Sequence, residues 1–471
     1  MQRFALNDSL VEVAHPSGMP ALDFLREHAG LTGVKHACRE GDCGSCAVLV
    51  GEPDGSTLRY RVVTSCLLPL GALTGRHVVT IEGLNRRELG PIQSAFVAEG
   101  ASQCGFCTPG FVVSLVGHLL EAEVWDDKLA EEAVAGNICR CTGYASIQRA
   151  IHRIIDRLRQ AVEPGEDRVP ALVREGFLPD HFLHAGELLA GLGPPAPIRR
   201  RTEGQRVVAG GTDLYVQRPD ELAQSEVFLV AKREGPPIWE DGGHVYLAAS
   251  ATAEDIKRSR LLARAVGGLD RAMELMGSLP IRSMATMGGN LVNASPIGDM
   301  TIILLALDAE ICLVDGDARR TLPLRLFFRG YKDLDLQPGE IVEWARFPAE
   351  RSGCVFAFEK VSKRTHLDIA SVNTALSLRL ERGRIASACV SAGGVAPVPL
   401  QLQKTSAFLE GRKPDVDTAR GAAALARSEV RPISDVRGSA DYKRLLLGQL
   451  VLAHFHVLFN LDEDLIAGAA S

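Results

Sequence analysis

The stretch "CREGDCGSC", residues 38–46, places three cysteines within nine residues, and a fourth cysteine, Cys66, follows further along the chain. Two glycines, Gly41 and Gly44, lie between these cysteines. Glycine adopts positive φ without steric cost, so the backbone can wrap closely around a bound group and point its N–H groups at sulfur. The stretch therefore predicts a loop that surrounds a metal centre.

The ligand spacing distinguishes between the metal centres that cysteine binds. The pattern C-x4-C-x2-C with one distant fourth cysteine is typical of plant-type [2Fe–2S] loops. A zinc site is usually built from two short C-x2–4-C pairs, whereas Cys66 stands alone. We predict an iron–sulfur ligand set of Cys38, Cys43, Cys46 and Cys66. Zinc and incidental buried thiols are the alternatives.

The segments around this loop predict a small mixed fold. Two strands, "RFALN" at 3–7 and "LVEVA" at 10–14, are joined by a turn and followed by a helix from about residue 20. Further strands are predicted at 46–50, 57–66 and 77–83. This order of hairpin, helix, ligand loop and strands resembles the β-grasp fold of plant-type ferredoxins over residues 1–85.

Four more cysteines lie in two motifs, "QCGFCTPG" at 103–110 and "CRCTGY" at 139–144. Residues two apart lie on nearly opposite sides of a helix, so Cys139 and Cys141 can share a metal only in a loop. Thr108 followed by Pro109 is typical of a helix start, and apolar residues repeat at helical spacing after Cys141. Residues 90–160 therefore predict a four-helix bundle with two cysteine loops at one end.

These two motifs, downstream of a ferredoxin-type loop, resemble the iron–sulfur part of the molybdenum hydroxylases, the xanthine dehydrogenase and aldehyde oxidase family. The resemblance implies a second [2Fe–2S] cluster, nearer the molybdenum cofactor than the first, on Cys104, Cys107, Cys139 and Cys141. It also matches Gln103 to a glutamine that touches the pterin of that cofactor. A polar residue packed against the loop is the alternative for Gln103.

Paired glycines mark two segments further along, "RVVAGGTDL" at 206–214 and "IRSMATMGGNLVNASPIGDM" at 281–300. Consecutive backbone N–H groups at paired glycines can converge on a phosphate oxygen. A hairpin turn would explain the first segment equally well, but the second suits an extended diphosphate and ribityl chain. No G-x-G-x-x-G follows a predicted strand, so a Rossmann dinucleotide site is not supported.

Both segments resemble the FAD domain of the same family, which has the vanillyl-alcohol-oxidase type of flavin fold. The resemblance places residues 207–214 along the pyrophosphate and flavin, and Thr286, Gly289 and Asn290 on the pyrophosphate side. Met276 departs from the pattern, since some relatives carry an aromatic residue there, and His366 is interpreted as a polar contact rather than a catalyst. The implied FAD-binding residues are Val207, Val208, Ala209, Gly210, Gly211, Thr212, Asp213, Leu214, Met276, Thr286, Gly289, Asn290, Asp299, Ile341, Val342, Lys360 and Asp368.

The fold class implied is α+β and multidomain. A polar, turn-rich stretch at 161–185 is interpreted as a linker. The expected domains are a plant-type ferredoxin-like domain at 1–85, a helical [2Fe–2S]-binding domain at 86–160, the linker at 161–185, an FAD-binding domain at 186–352 and a small α+β C-terminal flavoprotein domain at 353–471.

Composition excludes several classes of function. The 471 residues are 46% hydrophobic and 23% charged with a net charge of −6, so no basic face for nucleic acid is expected. No apolar run approaches the 18 residues of a membrane span, and the first residues are not a signal peptide. We therefore expect a cytoplasmic protein whose 11 cysteines are thiols or metal ligands rather than disulfides.

Two clusters and a flavin in one chain would form an electron conduit, since flavin converts between one-electron centres and a nicotinamide. Within the family, the resemblance implies the xanthine dehydrogenase branch, which oxidises hypoxanthine and xanthine to urate. The molybdenum cofactor would lie on a large partner chain in an (αβ)2 assembly, and electrons would leave for NAD⁺. Another molybdenum hydroxylase, acting on an aldehyde or a different heterocycle, and a standalone ferredoxin–flavin reductase are the alternatives. No catalytic residue is expected in this chain.

Overall fold

The computed structural model describes residues 1–55, 57–163, 165–192, 201–202, 204–364 and 367–461. His366 therefore lies outside the described residues. The chain divides into two compact units. Unit 1 consists of Met1–Ala231 with Ser278–Met284, and unit 2 of Lys232–Gly277 with Ala285–Ser471.

Unit 1 begins with a mixed five-stranded sheet. Its strands are β1 (Gln2–Leu6), β2 (Ser9–Val13), β3 (Ala47–Asp54), β4 (Thr57–Thr64) and β5 (His77–Val79), in the order β2-β1-β5-β3-β4. Strands β1 and β5 are parallel and the other neighbours are antiparallel. Helix α1 (Ala21–Asp23) continues as a π-helical turn over Phe24–His28, and both contribute buried side chains to the core on one face of the sheet. This confirms the predicted β-grasp fold.

Four helices follow, and their apolar core is continuous with the other face of the sheet. They are α2 (Pro91–Ala98), α3 (Thr108–Glu121), α4 (Asp127–Val134) and α5 (Ala145–Ala161). Proline occupies the first turn of α2 and of α3, and the Asp126 side chain caps α4. The apolar side chains of α5 that repeat at helical spacing are buried in a core shared with β3 and β4. The predicted four-helix bundle is confirmed.

The stretch predicted as a linker, 161–185, packs as part of unit 1. It contains helix α6 (Arg168–Arg174) and a 3-10 turn over Asp180–His184, and α7 (Ala185–Ala190) follows. Leu172, Phe177 and Phe182 are buried in the core of the helical bundle. These apolar residues are too sparse for a helical period, which is why the sequence indicated a linker. Unit 1 continues with β6 (Val207–Val208), α8 (Leu214–Gln217), α9 (Pro219–Ala223) and β7 (Phe228–Leu229).

Unit 2 contains a second five-stranded sheet, flanked by short helices. The strands are β8 (Ile238–Asp241), β9 (His244–Ala248), β10 (Glu310–Asp315), β11 (Ala318–Pro323) and β14 (Ile341–Pro348), in the order β11-β10-β14-β9-β8. A small pair, β12 (Phe328–Gly330) and β13 (Asp333–Leu334), lies between β11 and β14 in sequence. The helices are α10 (Ala253–Arg258), α11 (Arg260–Ala265), α12 (Leu269–Glu274), α14 (Met287–Asn293) and α15 (Asp299–Ala306), while α13 (Leu279–Arg282) belongs to unit 1.

The end of unit 2 is a four-stranded antiparallel sheet covered by helices. Its strands are β15 (Cys354–Val361), β16 (Val372–Glu381), β17 (Arg384–Gly393) and β18 (Leu400–Gln401). Helices α16 (Gln403–Leu409), α17 (Val416–Glu429) and α18 (Ala440–Phe459) follow, and they share one apolar core with the sheet. The α+β multidomain fold class is thus confirmed. None of the described helices is both long and apolar enough to cross a membrane.

Candidate metal and cofactor sites

The first cysteine site is built on the ends of two paired strands. Ala47 of β3 lies opposite Thr64 of β4, so Cys46, just before β3, and Cys66, just after β4, lie on the same edge of the sheet. Both are buried, whereas Cys38 and Cys43 are half-buried. Positive φ at Arg39 (56°), Gly41 (80°) and Gly44 (67°) turns the loop around them, as the glycines predicted.

The four sulfurs of this site form two pairs. The Cys38 thiol donates to the Cys43 sulfur at 3.2 Å, and Cys66 hydrogen-bonds Cys46 in the same way. The bond from Cys38 lowers the pKa of Cys43 to about 4 and raises the pKa of Cys38. The bond from Cys66 lowers the pKa of Cys46 and raises the pKa of Cys66. In each pair, the sulfur that accepts the hydrogen bond is the one whose ionised form is favoured.

N–H groups of the loop also donate hydrogen bonds to the sulfurs of this site. The backbone N–H of Glu40 donates to Cys38 Sγ at 3.4 Å, and Gly41 donates from its backbone to Cys66. Ser45 hydrogen-bonds Cys43 through both its backbone and its side chain. Donors aimed at sulfur stabilise the ionised form, which is the form that binds metal.

The second cysteine site lies on two loops of the helical bundle, one between α2 and α3 and one between α4 and α5. The Cys141 thiol donates to Cys104 Sγ at 3.7 Å, and Cys107 pairs with Cys139. Burial raises the pKa of Cys107 to about 12, and its hydrogen bond to Cys139 acts in the same direction. Cys139 is only 7% exposed, but Cys104 and Cys141 are open to solvent. The motif residues predicted to form this site are thus brought together.

Hydroxyl groups of the "CRCTGY" motif surround Cys139. The Thr142 hydroxyl donates to Cys139 Sγ at 3.2 Å, and the Tyr144 backbone N–H donates to Thr142 Oγ1 at 3.2 Å. The Tyr144 hydroxyl accepts from the Cys139 backbone N–H at 3.0 Å. The sequence motif includes Thr142 and Tyr144, but its spacing did not indicate a role for either residue.

The two cysteine sites adjoin one another within unit 1. The Ile138 backbone N–H donates to the Cys43 carbonyl oxygen at 3.0 Å, and Asn137 Nδ2 donates to the Gly44 carbonyl at 3.1 Å. A Cβ atom built on Gly110 would lie 2.3 Å from that same Gly44 oxygen. One hydrogen bond therefore joins Cys43 of the first site to Ile138, the neighbour of Cys139 of the second site. The sequence did not indicate this connection.

The paired sulfurs fit a two-iron cluster. Two thiolates on one tetrahedral ion lie about 3.7 Å apart when the metal–sulfur bond is about 2.3 Å. In a [2Fe–2S] cluster each iron takes two cysteines, which matches two pairs per site. Across the described residues, no group of three or more His, Cys, Asp or Glu side chains is arranged to hold a single metal ion. The two sulfur pairs at each site thus match the ligand arrangement of a [2Fe–2S] cluster.

Gln103 precedes Cys104 and is exposed. Its role toward the pterin stays a prediction. Three large apolar side chains around the second site are also exposed, namely Phe106 at 44%, Ile138 at 42% and Tyr144 at 41%. This end of the bundle therefore presents an apolar rim around two exposed cysteines.

The first predicted flavin segment, residues 207–214, lies in unit 1 beside the first cysteine site. It leaves strand β6, turns at Gly211 with φ +79° and enters α8. A Cβ atom on Gly211 would lie 2.8 Å from the carbonyl oxygen of Leu67, the residue that follows Cys66. The Tyr215 hydroxyl fixes the start of α8 by donating to the Gly18 carbonyl at 2.6 Å.

Residues 281–284 of the second predicted segment belong to unit 1, and its residues 285–300 belong to unit 2, where they include α14 and the start of α15. Thr286 caps α14, since its hydroxyl accepts from the Gly289 N–H at 3.1 Å. Asn290 Oδ1 accepts from the backbone N–H and the hydroxyl of Thr301, at 3.0 and 2.8 Å. The structure thus brings Thr286, Gly289 and Asn290 into one turn and ties that turn to α15.

A buried polar group lies at the first residue of α15. Lys360 Nζ donates to Asp299 Oδ2 at 2.7 Å and to the Leu275 carbonyl at 2.9 Å, and the Lys360 side chain is 3% exposed. Asn373 Nδ2 donates to Asp299 Oδ1 at 2.5 Å, while Asn373 Oδ1 accepts no hydrogen bond within the described part of the chain. A buried amide oxygen without a donor fits a site that a polar ligand completes. Sequence reasoning missed Asn373.

The remaining predicted flavin residues of unit 2 are Met276, Ile341, Val342 and Asp368. Val342 is buried in β14, whereas its neighbour Ile341 is half-buried. Met276 is buried and directly follows Leu275, whose carbonyl Lys360 contacts. Asp368 Oδ2 accepts from the Arg364 backbone N–H at 3.0 Å within its own loop. Their roles toward FAD stay predictions.

Four protein-family models match successive parts of the chain. A 2Fe-2S iron-sulfur cluster binding domain matches residues 4–70, and a [2Fe-2S] binding domain matches residues 80–152. An FAD binding domain in molybdopterin dehydrogenase matches residues 196–350, and a CO dehydrogenase flavoprotein C-terminal domain matches residues 357–457. The first two models together include all eight cysteines of the two sites.

Similar proteins were found among curated sequences and solved structures. Xanthine dehydrogenase 1 of Arabidopsis thaliana is 28% identical, over 89% of this chain and 37% of that protein. Aldehyde oxidase 4 of Cavia porcellus is 27% identical, over 96% of this chain and 39% of that protein. This chain therefore spans somewhat more than a third of the length of these relatives. Reconstituted CO dehydrogenase from Oligotropha carboxidovorans is similar in structure, with a TM-score of 0.50 and 30% identity over 53% of this chain and 88% of that chain.

Proposed function

Because this chain belongs to the molybdenum hydroxylase family, as an electron-transfer chain with iron–sulfur and FAD domains, we propose that it serves a xanthine dehydrogenase. On this proposal hypoxanthine and xanthine are oxidised to urate at a molybdenum cofactor on a large partner chain. The electrons then pass along this chain to NAD⁺. The similarity to a xanthine dehydrogenase over 89% of the chain supports this choice within the family.

The observation that carries the proposal is the link between two complete cysteine sites. Each site offers four cysteines in two pairs, and the Ile138 N–H bonded to the Cys43 carbonyl joins the two sites directly. When bound, the two [2Fe–2S] clusters would supply one-electron transfer, and FAD would couple it to two-electron hydride transfer to a nicotinamide. Cys38, Cys43, Cys46 and Cys66 would hold one cluster, and Cys104, Cys107, Cys139 and Cys141 the other.

The surroundings of the two sites support a particular order in which electrons pass through them. The exposed Cys104 and Cys141 and the apolar rim of Phe106, Ile138 and Tyr144 suit contact with a partner chain. The close approach of Gly211 to Leu67 suits a flavin-side position for the first site. We therefore propose that the second site faces the molybdenum partner, with Gln103 toward its pterin.

The side chains of this chain prepare the sites without performing catalysis. Burial of Cys46 and Cys66 keeps water from these two sulfurs, and the backbone N–H groups of Glu40 and Gly41 would stabilise Cys38 and Cys66 as thiolate ligands when a cluster is bound. In unit 2, Asp299 and Lys360 form a buried ion pair that fixes the positions of both side chains. We propose these two residues, with Asn373, as part of the FAD-binding set.

The partner and the assembly are part of the same proposal. We expect a large chain that holds the molybdenum cofactor, in an (αβ)2 assembly in the cytoplasm. A second candidate, favoured by the 27% identity to an aldehyde oxidase over 96% of the chain, is a molybdenum hydroxylase acting on an aldehyde or another heterocycle.

The test is an assay of the complex purified through this chain. We expect a large chain with molybdenum to co-purify, with about four iron and four sulfide per copy of this chain and one FAD. Hypoxanthine and xanthine should be oxidised with NAD⁺ as acceptor, faster than aldehydes and faster than with oxygen. Preference for aldehydes would favour the second candidate, and absence of a large partner would favour a standalone reductase. Two zinc ions per chain in place of iron would contradict both cluster assignments.

A further inference from the structure

The second cysteine site contains a short relay of hydrogen bonds that ends on a ligand sulfur. The Tyr144 backbone N–H donates to Thr142 Oγ1, and the Thr142 hydroxyl donates to Cys139 Sγ. Because the hydroxyl oxygen already accepts a bond from Tyr144, its own hydrogen is directed toward the sulfur. Cys139 is buried and Thr142 is half-buried, so water competes little for this bond.

A donor at this position affects one oxidation state more than the other. One-electron reduction of a [2Fe–2S] cluster adds negative charge, with no proton taken up at the ligand, and part of that charge resides on the cysteine sulfurs. Hydrogen bonds to those sulfurs therefore stabilise the reduced form and raise the reduction potential. The effect is largest where the dielectric around the bond is low.

We propose that Thr142 is a positioning residue that raises the reduction potential of the second cluster through its hydroxyl bond to Cys139, and that Tyr144 orients this hydroxyl. This inference rests on the proposed function, since it requires a [2Fe–2S] cluster on Cys104, Cys107, Cys139 and Cys141. A higher potential at this site makes it a better first acceptor for electrons that arrive from a partner chain.

The backbone at Tyr144 is consistent with a conformation held for this purpose. Tyr144 has φ 69° and ψ −30°, which is unfavourable for a residue with a side chain. Its hydroxyl accepts from the Cys139 N–H at 3.0 Å, so the ring closes the loop back onto the ligand. The same conformation points the Tyr144 N–H at Thr142. The strained residue therefore sets both ends of the relay.

The first site serves as a control for the second within the same chain, because different groups donate hydrogen bonds to its sulfurs. Glu40 and Gly41 donate from the backbone, so side-chain changes leave their bonds in place. Ser45 is the hydroxyl counterpart of Thr142, since its side chain hydrogen-bonds Cys43. A change at Thr142 should thus move the potential of one cluster only, and a change at Ser45 that of the other.

The experiment is a potentiometric titration of the full complex, followed by electron paramagnetic resonance of the reduced clusters. Thr142→Val removes the hydroxyl at nearly constant volume and keeps the Thr142 backbone N–H, which lies 3.5 Å from Cys139 Sγ. We expect the equilibrium constant for reduction of the second cluster to fall about tenfold, a shift of about 59 mV to lower potential. Thr142→Ser, which retains the hydroxyl, should restore the wild-type value, and Ser45→Ala should shift only the other cluster.

The outcomes separate this inference from the proposed function. A wild-type complex without two reduced [2Fe–2S] signals would contradict the proposed function itself. Two intact signals with an unchanged potential in Thr142→Val would overturn the inference alone. Thr142→Ala serves as a second variant, and if both it and Thr142→Val lose the second cluster's iron, Thr142 is a structural residue and the inference is wrong.

Discussion

The two cysteine sites each contain four cysteines in the same paired arrangement, yet their surroundings are nearly opposite. The first is built on strand ends, with Cys46 and Cys66 buried and glycines turning the loop. The second is built on helix starts, with Cys104 and Cys141 exposed and hydroxyl groups around Cys139. The ligand set determines which metal centre binds, whereas the surroundings determine stability, accessibility and potential.

The largest expected difference between the sites is the loss of thermal stability when one of their cysteines is replaced. Cys46→Ser should lower the iron content from about four to about two per chain and also destabilise unit 1, since Cys46 lies in the core beneath the sheet. Cys141→Ser should lower the iron content equally but leave the unfolding midpoint almost unchanged, because Cys141 is exposed. Iron analysis and thermal unfolding of the two variants measure this. Equal destabilisation by both would show that the contrast in burial is irrelevant.

A matched pair of glycines compares the two loops. Gly44 has φ 67°, and a Cβ atom there would lie 2.4 Å from Asn137 Nδ2 and 2.7 Å from the Gly136 carbonyl. Gly143, in the second loop, has φ 65° and nothing within 4 Å of such an atom.

Gly143→Ala should lower the free energy of unfolding by only about 1–2 kcal/mol, because alanine is disfavoured at positive φ. Gly44→Ala adds a steric clash between the two sites, so it should lower the free energy of unfolding by about 3–5 kcal/mol. It should also weaken iron binding at both sites. Denaturant unfolding followed by cluster absorbance compares the two variants. Similar midpoints would show that the junction at Asn137 adjusts freely, contrary to this account.

Acid should loosen the sheet of the first site before the helices of the second. His77 in β5 is buried, with Nδ1 2.6 Å from the Tyr60 hydroxyl and Nε2 2.6 Å from the Asn7 carbonyl. Burial lowers the pKa of His77 from 6.5 to about 4. Below pH 6.5, His77 is therefore protonated in the unfolded chain but stays neutral in the folded chain until the pH approaches 4. The free energy of unfolding is thus highest above pH 6.5 and decreases as the pH falls toward 4.

Between pH 7 and pH 5 the loss should amount to about 2 kcal/mol. Hydrogen exchange of β5 amides, corrected for intrinsic rates and compared with amides of α5, measures it. In His77→Gln the difference between pH 7 and pH 5 should largely disappear. A variant that keeps the full wild-type pH dependence would assign the effect to another group.

Local spacing was enough to group eight cysteines into the two sets that the structure brings together, and to predict both folds of unit 1. The residues 38–46, 103–110 and 139–144 each carry their chemistry within a few positions, and the strands and helices around them follow ordinary periodicity. Thr142 and Tyr144 lie within a quoted motif, but the direction of the Thr142 hydroxyl depends on the positive φ of Tyr144. No sequence pattern predicts that conformation for tyrosine.

The sequence patterns did not predict contacts between distant segments of the chain. Asn137 and Gly44 are separated by 93 positions, and only the packing of the bundle on the sheet brings them together. The same holds for Asn373, which reaches Asp299 across 74 positions. The stretch 161–185 looked like a linker because its polar surface residues outnumber Leu172, Phe177 and Phe182, which are buried in the core. Each of these features depends on tertiary packing rather than on local propensity.

The central claim is that this chain holds two unlike [2Fe–2S] clusters that are joined through the Cys43 to Ile138 hydrogen bond. Spin-quantified electron paramagnetic resonance of the reduced complex tests it most directly. The account predicts two distinct signals of about one spin each per chain, each relaxing faster because the other is near. Cys141→Ser should remove one signal and slow the relaxation of the other. A single signal, or two signals that relax independently of one another, would contradict the claim.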